Sequence, residues 1–189
     1  MNMLSFFYTH HLNSLNYYFN SLKKDQEKTY YYKKINNKID LDKIKLNKGE
    51  NFKINQGAGV ISAIGMVGKI EKVSSRSSTV QLLTNQEFRV VAHIKGDARP
   101  ITYRGAGVSF GRQNLGFIMD IPQDVSIPKD GFLEIVSSSL GGTFPQNLSI
   151  GKVFELEPSV DGLFQSAQVL LSSDLNIIKE VTILNSDYE

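Results

Sequence analysis

Cysteine and tryptophan are absent from these 189 residues. Without cysteine there is no disulfide framework and no thiolate metal site, so any core is held by burial and backbone hydrogen bonding. Histidine is scarce: His10, His11 and His93 are the whole supply. Adjacent His10 and His11 cannot form the i, i+4 pair that chelates well on a helix, and His93 stands alone, so no metal site is expected. Long apolar runs are missing too. The first 22 residues carry no Lys, Arg, Asp or Glu, yet ten of them are Asn, Ser, Thr or His, too polar for a membrane-spanning helix. The basic start, clean apolar run and small-residue cleavage site of a secretory signal are also absent. The first glycine is Gly49 and the first proline Pro100.

What is present changes character near residue 55. Residues 1–55 carry ten Lys and five acids, a charge of +5, whereas residues 56–189 carry eleven Lys/Arg and fourteen acids, −3. A basic leader on a mildly acidic body speaks against a dedicated nucleic-acid reader. Within the leader, Leu4, Tyr8, His11, Leu15, Tyr18 and Leu22 recur at spacings of 4 and 3, a heptad stripe widened by Phe7 and Phe19. The stripe predicts a short amphipathic helix. It either self-associates as a coiled coil through Leu4, Leu15, Tyr18 and Leu22 or packs on its own domain. The run Lys23–Lys28, then Tyr30 to Lys34, reads as a solvated helix end and linker, so residues 1–38 are expected to be helix and linker.

From about residue 40 the texture is β. Strands are predicted at Asp42–Leu46, Gly59–Ile61, Met66–Ile70, Thr79–Leu83, Phe88–Ile94, Ile101–Arg104, Leu115–Met119, Phe132–Val136, Lys152–Leu156, Ala167–Leu171 and Val181–Leu184, with a turn at Gly65. Clusters of Gly, Pro, Asn, Asp and Ser separate nearly all of them. Two stretches echo each other. Val67-Gly68-Lys69-Ile70 followed by a strand ending in Leu82-Leu83 matches Ile150-Gly151-Lys152-Val153 followed by one ending in Leu170-Leu171. The expected fold is therefore mostly β. It consists of two small β-barrels related by an internal repeat, residues 39–121 and 122–189, with some strand exchange between them.

Chemistry-bearing patterns are few. Gly57-Ala58-Gly59 and Gly105-Ala106-Gly107 resemble pieces of a phosphate loop, but strands rather than helices follow them, so they read as turns or bulges. His93, Asp120 and Ser138 occur in the chain order of a trypsin-like triad, which makes a serine hydrolase on a double barrel the enzymatic alternative. Against it, His93 sits in a strand pattern, Asp120 precedes Ile121-Pro122 as a turn residue, and no Gly-Asp-Ser-Gly arrangement supplies an oxyanion hole. A small-molecule or glycan-binding β module is a third reading, weakened by the lack of Trp. No cofactor is expected.

The richest segment is Ser137-Ser138-Ser139-Leu140-Gly141-Gly142-Thr143-Phe144-Pro145-Gln146-Asn147-Leu148-Ser149-Ile150-Gly151-Lys152-Val153. Its glycines permit positive φ, Pro145 stiffens it, and Phe144 and Leu148 are its anchors. It resembles the Leu-Gly-Gly-x-Phe-Pro loop of the bacterial rod-shape-determining MreC family, matched here by Leu140, Gly141, Gly142, Phe144, Pro145 and Gly151. Ile44–Gly49, the Gly59–Ile70 hairpin and Val80–Phe88 also resemble that family, over about residues 42–185. Ser139 stands where the family favours Gly, and Asn147 and Ser149 replace its Gly and Pro. The resemblance implies a non-enzymatic scaffold of two β-barrels, dimeric through a coiled coil, on the outer face of the cytoplasmic membrane. It implies a role in cell shape, in organising the lateral peptidoglycan elongation machinery. The implied partners are an elongation penicillin-binding transpeptidase, MreD and, indirectly, actin-like MreB. Family members begin with a cytoplasmic tail, one spanning helix and a longer coiled coil, none of which is expected in these residues.

Overall fold

A computed structural model describes residues 28–31, 42–108, 113–129, 131–160 and 162–184. Among them lie thirteen strands, three short 3-10 turns and no α-helix. In chain order the strands are β1 Lys28–Tyr31, β2 Lys43–Leu46, β3 Gly59–Ser62, β4 Gly65–Val73, β5 Ser78–Leu82, β6 Arg89–Ile94 and β7 Ile101–Val108. They continue with β8 Asn114–Pro122, β9 Leu133–Ser137, β10 Ser149–Val153, β11 Glu157–Pro158, β12 Phe164–Leu171 and β13 Glu180–Leu184. Period-2 burial explains them: Ile101, Tyr103 and Gly105 are buried while Thr102 and Arg104 are half-buried, and Ala167, Val169 and Leu171 alternate likewise.

These strands form two antiparallel sheets. The first has the order β1-β13-β3-β4-β5-β2 and stays open, a half-barrel. The second has the order β10-β9-β6-β7-β8-β12-β11, and β10 also pairs with β12, Gly151 opposite Leu171, which closes a six-strand barrel. Val60, Ile70 and Val80 fill the half-barrel side of the core, and Tyr103, Ile118, Ile135 and Val169 the barrel side. The echoing segments do occupy like positions, since the Gly-Lys strand pairs antiparallel with the Leu-Leu strand in both sheets (Lys69 with Gln81, Lys152 with Leu170).

Several expectations need correcting. Instead of two closed barrels there is one barrel and one half-barrel, because β1 and β2 at the ends of the first sheet do not pair with each other. The division at 121/122 falls at the end of β8, inside the closed barrel. The chain passes from the first sheet to the second between Leu82 and Arg89, and β13 then returns to the first between β1 and β3. In the leader, Lys28–Tyr31 is not linker but a strand on β13, Thr29 opposite Thr182. Leu4, Leu15, Tyr18 and Leu22, and with them the helix and its coiled coil, lie outside the described residues. The turn assigned to Gly65 falls on Ala63-Ile64, with Gly65 opening β4. The strand expected at Lys152–Leu156 is Ser149–Val153, because Leu148 and Ile150 take the buried positions.

Candidate functional site

The loop from Ser137 to Leu148 fastens the barrel to the half-barrel. Ser137 ends β9 fully buried and uses every polar group on the returning chain. Its hydroxyl donates to the Pro145 carbonyl at 2.6 Å and accepts from the Leu148 amide at 2.9 Å. Its own amide donates to the Leu148 carbonyl, and its carbonyl accepts from the Asn147 amide. Held this way, the loop drives Phe144 and Leu148 into the core. A Cβ built on Gly59 of β3 would lie 2.9 Å from the Phe144 ring and 2.8 Å from the Thr143 carbonyl oxygen, so Phe144 packs directly on half-barrel backbone. Gly151 is buried in β10.

The outer half of the loop is different. Leu140 is 70% exposed, and Gly141 and Gly142 have open space around them. Gly142 has φ +66, the left-handed region that residues with a Cβ adopt at a cost. Asn147 is also left-handed at φ 69, a conformation that Asn tolerates better than most residues. Ser139 needs no such freedom; it sits in a 3-10 turn capped by the Ser138 hydroxyl, which accepts from the Leu140 amide. Gly142→Val should therefore cost about 1–3 kcal/mol through backbone strain alone, seen as a lowered melting temperature with unchanged β content.

The three residues of the hydrolase reading are occupied separately. The ring Nε2 of His93, itself 4% exposed, is 3.3 Å from Asn147 Oδ1. The Asp120 carboxylate accepts from the Thr102 hydroxyl, and the Ser138 hydroxyl serves the Leu140 turn. None of the three bonds to another. The serine that matters is the neighbour, Ser137, which the run of three serines conceals. Ser138→Ala should change stability by less than about 1 kcal/mol, because that hydroxyl serves only the Leu140 turn. Ser137→Ala strands a buried donor and a buried acceptor and should cost about 2–4 kcal/mol.

A second joint lies at the corner Leu83–Phe88 between the sheets. The Leu83 amide donates to the Val67 carbonyl in the half-barrel, and the Leu83 carbonyl accepts from the Tyr103 hydroxyl of the barrel at 2.9 Å. Burial pushes the Tyr103 phenol above its ordinary range. At the opposite end of the barrel the surface is apolar. Phe132 precedes β9, Phe154 follows β10, and Leu163 and Phe164 lie at the start of β12, all exposed. The Phe132 and Phe154 rings meet at 5.8 Å between centroids, with the Lys152 ammonium 4.0 Å from the Phe132 centroid. Nearby Arg99 hydrogen-bonds Asp97 and Asp124 and holds both carboxyls below the usual carboxylate range.

A closed barrel joined to a half-barrel by a partly buried loop and by the Leu83–Phe88 corner, with bare apolar side chains at its far end, defines a two-sheet β module that presents surfaces. The chain belongs to the MreC family: the family description "Rod shape-determining protein MreC, barrel core" matches residues 34–185. It is similar to the cell shape-determining protein MreC of Listeria monocytogenes, 28% identical over 153 residues, covering 78% of this chain and 50% of that one. The chain spans about half the length of the curated relatives it matches. In fold it resembles a solved MreC of the same Listeria species, with a TM-score of 0.74 and 23% identity, covering 98% of this chain and 92% of that one. It also resembles a chain in the solved complex between the penicillin-binding protein PBP2 and MreC from Helicobacter pylori. There the TM-score is 0.59 and the identity 17%, covering 84% of this chain and 96% of that one. No helix among the described residues is long and apolar enough to cross a membrane.

Proposed function

We propose that this chain is a non-enzymatic scaffold that organises lateral peptidoglycan elongation and so sustains cell shape. It works on the outer face of the bacterial cytoplasmic membrane. The partner best supported is a penicillin-binding transpeptidase, by analogy with the Helicobacter complex; MreD, MreB reached indirectly, and a second copy of the chain complete the proposed assembly. The observation that carries this reading is the apolar rim of Phe132, Phe154, Leu163 and Phe164. Exposed apolar side chains gathered at one end of a module are characteristic of a surface that another protein covers. The leader residues Leu4, Leu15, Tyr18 and Leu22 are proposed as the self-association element, and the clasp of Leu140, Gly141, Gly142, Phe144, Pro145 and Gly151 as the structural loop.

The test is copurification with the transpeptidase encoded in the same genome. Phe154→Ser combined with Leu163→Ser should abolish capture while leaving the melting temperature within a few degrees, because both side chains are already exposed. Full capture by the folded double variant would move the partner surface elsewhere.

A further inference from the structure

The half-barrel carries a lysine lattice that the scaffold reading does not use. In the register of β2, β5 and β4, Lys43 and Lys69 flank Gln81, and Lys45 and Lys72 flank Thr79. Paired residues of an antiparallel sheet project to the same side, so all four lysines lie on the face opposite Ile44, Ile70 and Val80. Successive lysines stand about 7 Å apart along a strand and about 10 Å apart across the intervening strand. Arg76, exposed in the β4–β5 turn, extends the row. Glu71 is bonded into this lattice, pairing with Lys43 at 2.8 Å. Among the described residues Lys45, Lys72 and Arg76 have no carboxylate partner. Residues 42–82 hold seven Lys/Arg against three acids, +4, whereas residues 83–189 hold eight against thirteen, −5. The positive charge is therefore concentrated on this unit.

We propose that the outer face of β2–β5–β4 binds a linear phosphodiester polyanion. Lysines at this spacing match the separation of successive phosphates in an extended phosphodiester chain. Ammonium groups supply charge without the rigid bidentate geometry of Arg, which suits a repeating anion better than one particular headgroup or base. The surroundings favour a chain over a plane. Gly59, in the same cross-strand row as Lys69, faces Thr143 and Phe144, and the Lys69 ammonium lies 5.4 Å from the Phe88 ring centroid. The barrel thus crowds the Lys43–Gln81–Lys69 row, where Gln81 is 8% exposed, and leaves the Lys45–Thr79–Lys72 row open, a stepped face that suits a thread better than a plane.

The test is titration of the purified chain against a fluorescent oligo(glycerol phosphate), with phosphatidylglycerol vesicles at equal phosphate as the second arm. Engaging four phosphates should give a log affinity that falls with log salt at a slope of about −3. Lys45→Gln with Lys72→Gln should halve that slope and weaken binding at least about tenfold, with an unchanged melting temperature. Removing two charges from the barrel, Lys95→Gln with Lys129→Gln, should leave binding within about twofold. Equal loss in both variants, an unaffected lattice variant, binding to vesicles alone, or no binding at low salt would each overturn the proposal.

Discussion

Phe144→Ala should lower stability by about 3–5 kcal/mol, the cost of emptying a buried aromatic site. In a chain of this size that is a fall in melting temperature of about 10 °C or more. Phe144 is 5% exposed and packs on the backbone of Gly59, which has no side chain of its own to fill the space. The damage should also be directional. Amide exchange should rise first along β3 and through residues 138–148, where the clasp meets the half-barrel, while β7 and β8 stay protected. Uniform loss of protection, or a melting temperature within two degrees of the parent, would show that the loop is not what joins the sheets.

Tyr103→Ala should cost as much or more, because Tyr103 is fully buried and its hydroxyl is the bond to the Leu83 carbonyl. Its ring lies over Gly116 so closely that a Cβ there would come within 2.3 Å of it. Tyr103→Phe isolates the hydrogen bond and should lose about 1–3 kcal/mol, since the carbonyl is left buried without its donor. The pH dependence follows from the raised phenol. The unfolded chain ionises near pH 10 while the folded one stays protonated, so the Tyr103 contribution is complete below that pH and shrinks as pH climbs past it. Urea melts of parent and Tyr103→Phe at pH 8 and pH 11 provide the comparison. A difference between the two proteins that does not narrow at the higher pH would contradict this account.

Much of this architecture could be read from side-chain alternation. Ile101-Thr102-Tyr103-Arg104 and Ala167-Gln168-Val169 declare strands because one face is dry and the other wet, and Phe144 and Leu148 were legible as anchors of a glycine-bearing loop. What escaped depends on distant pairing. Lys28-Thr29-Tyr30-Tyr31 has no apolar alternation and is a strand because β13 offers it an edge. Glu157-Pro158 is too short to signal itself. Whether a sheet closes is decided by Gly151 meeting Leu171, twenty positions away, and nothing local reports that meeting. Ser137, Ser138 and Ser139 are chemically identical in a sequence, and only the fold buries the first, caps a turn with the second and exposes the third. The lysine lattice is likewise invisible until register sets β2, β5 and β4 side by side.

The return of β13 to the first sheet gives synthesis an order. Every strand of the closed barrel lies between β5 and β13 in the chain, so the barrel is an insertion within the half-barrel. A ribosome delivers β1 to β5 first, then the complete barrel, and last the interior strand that β3 awaits. Until Glu180–Leu184 emerges, β3 is a bare edge bearing Val60 and Ile61, open to pairing with another nascent chain. The pairings of β13 with β1 and β3, which span the longest stretches of sequence among the strand pairs, are thus the last to form, and the barrel serves meanwhile as the folded platform on which they close.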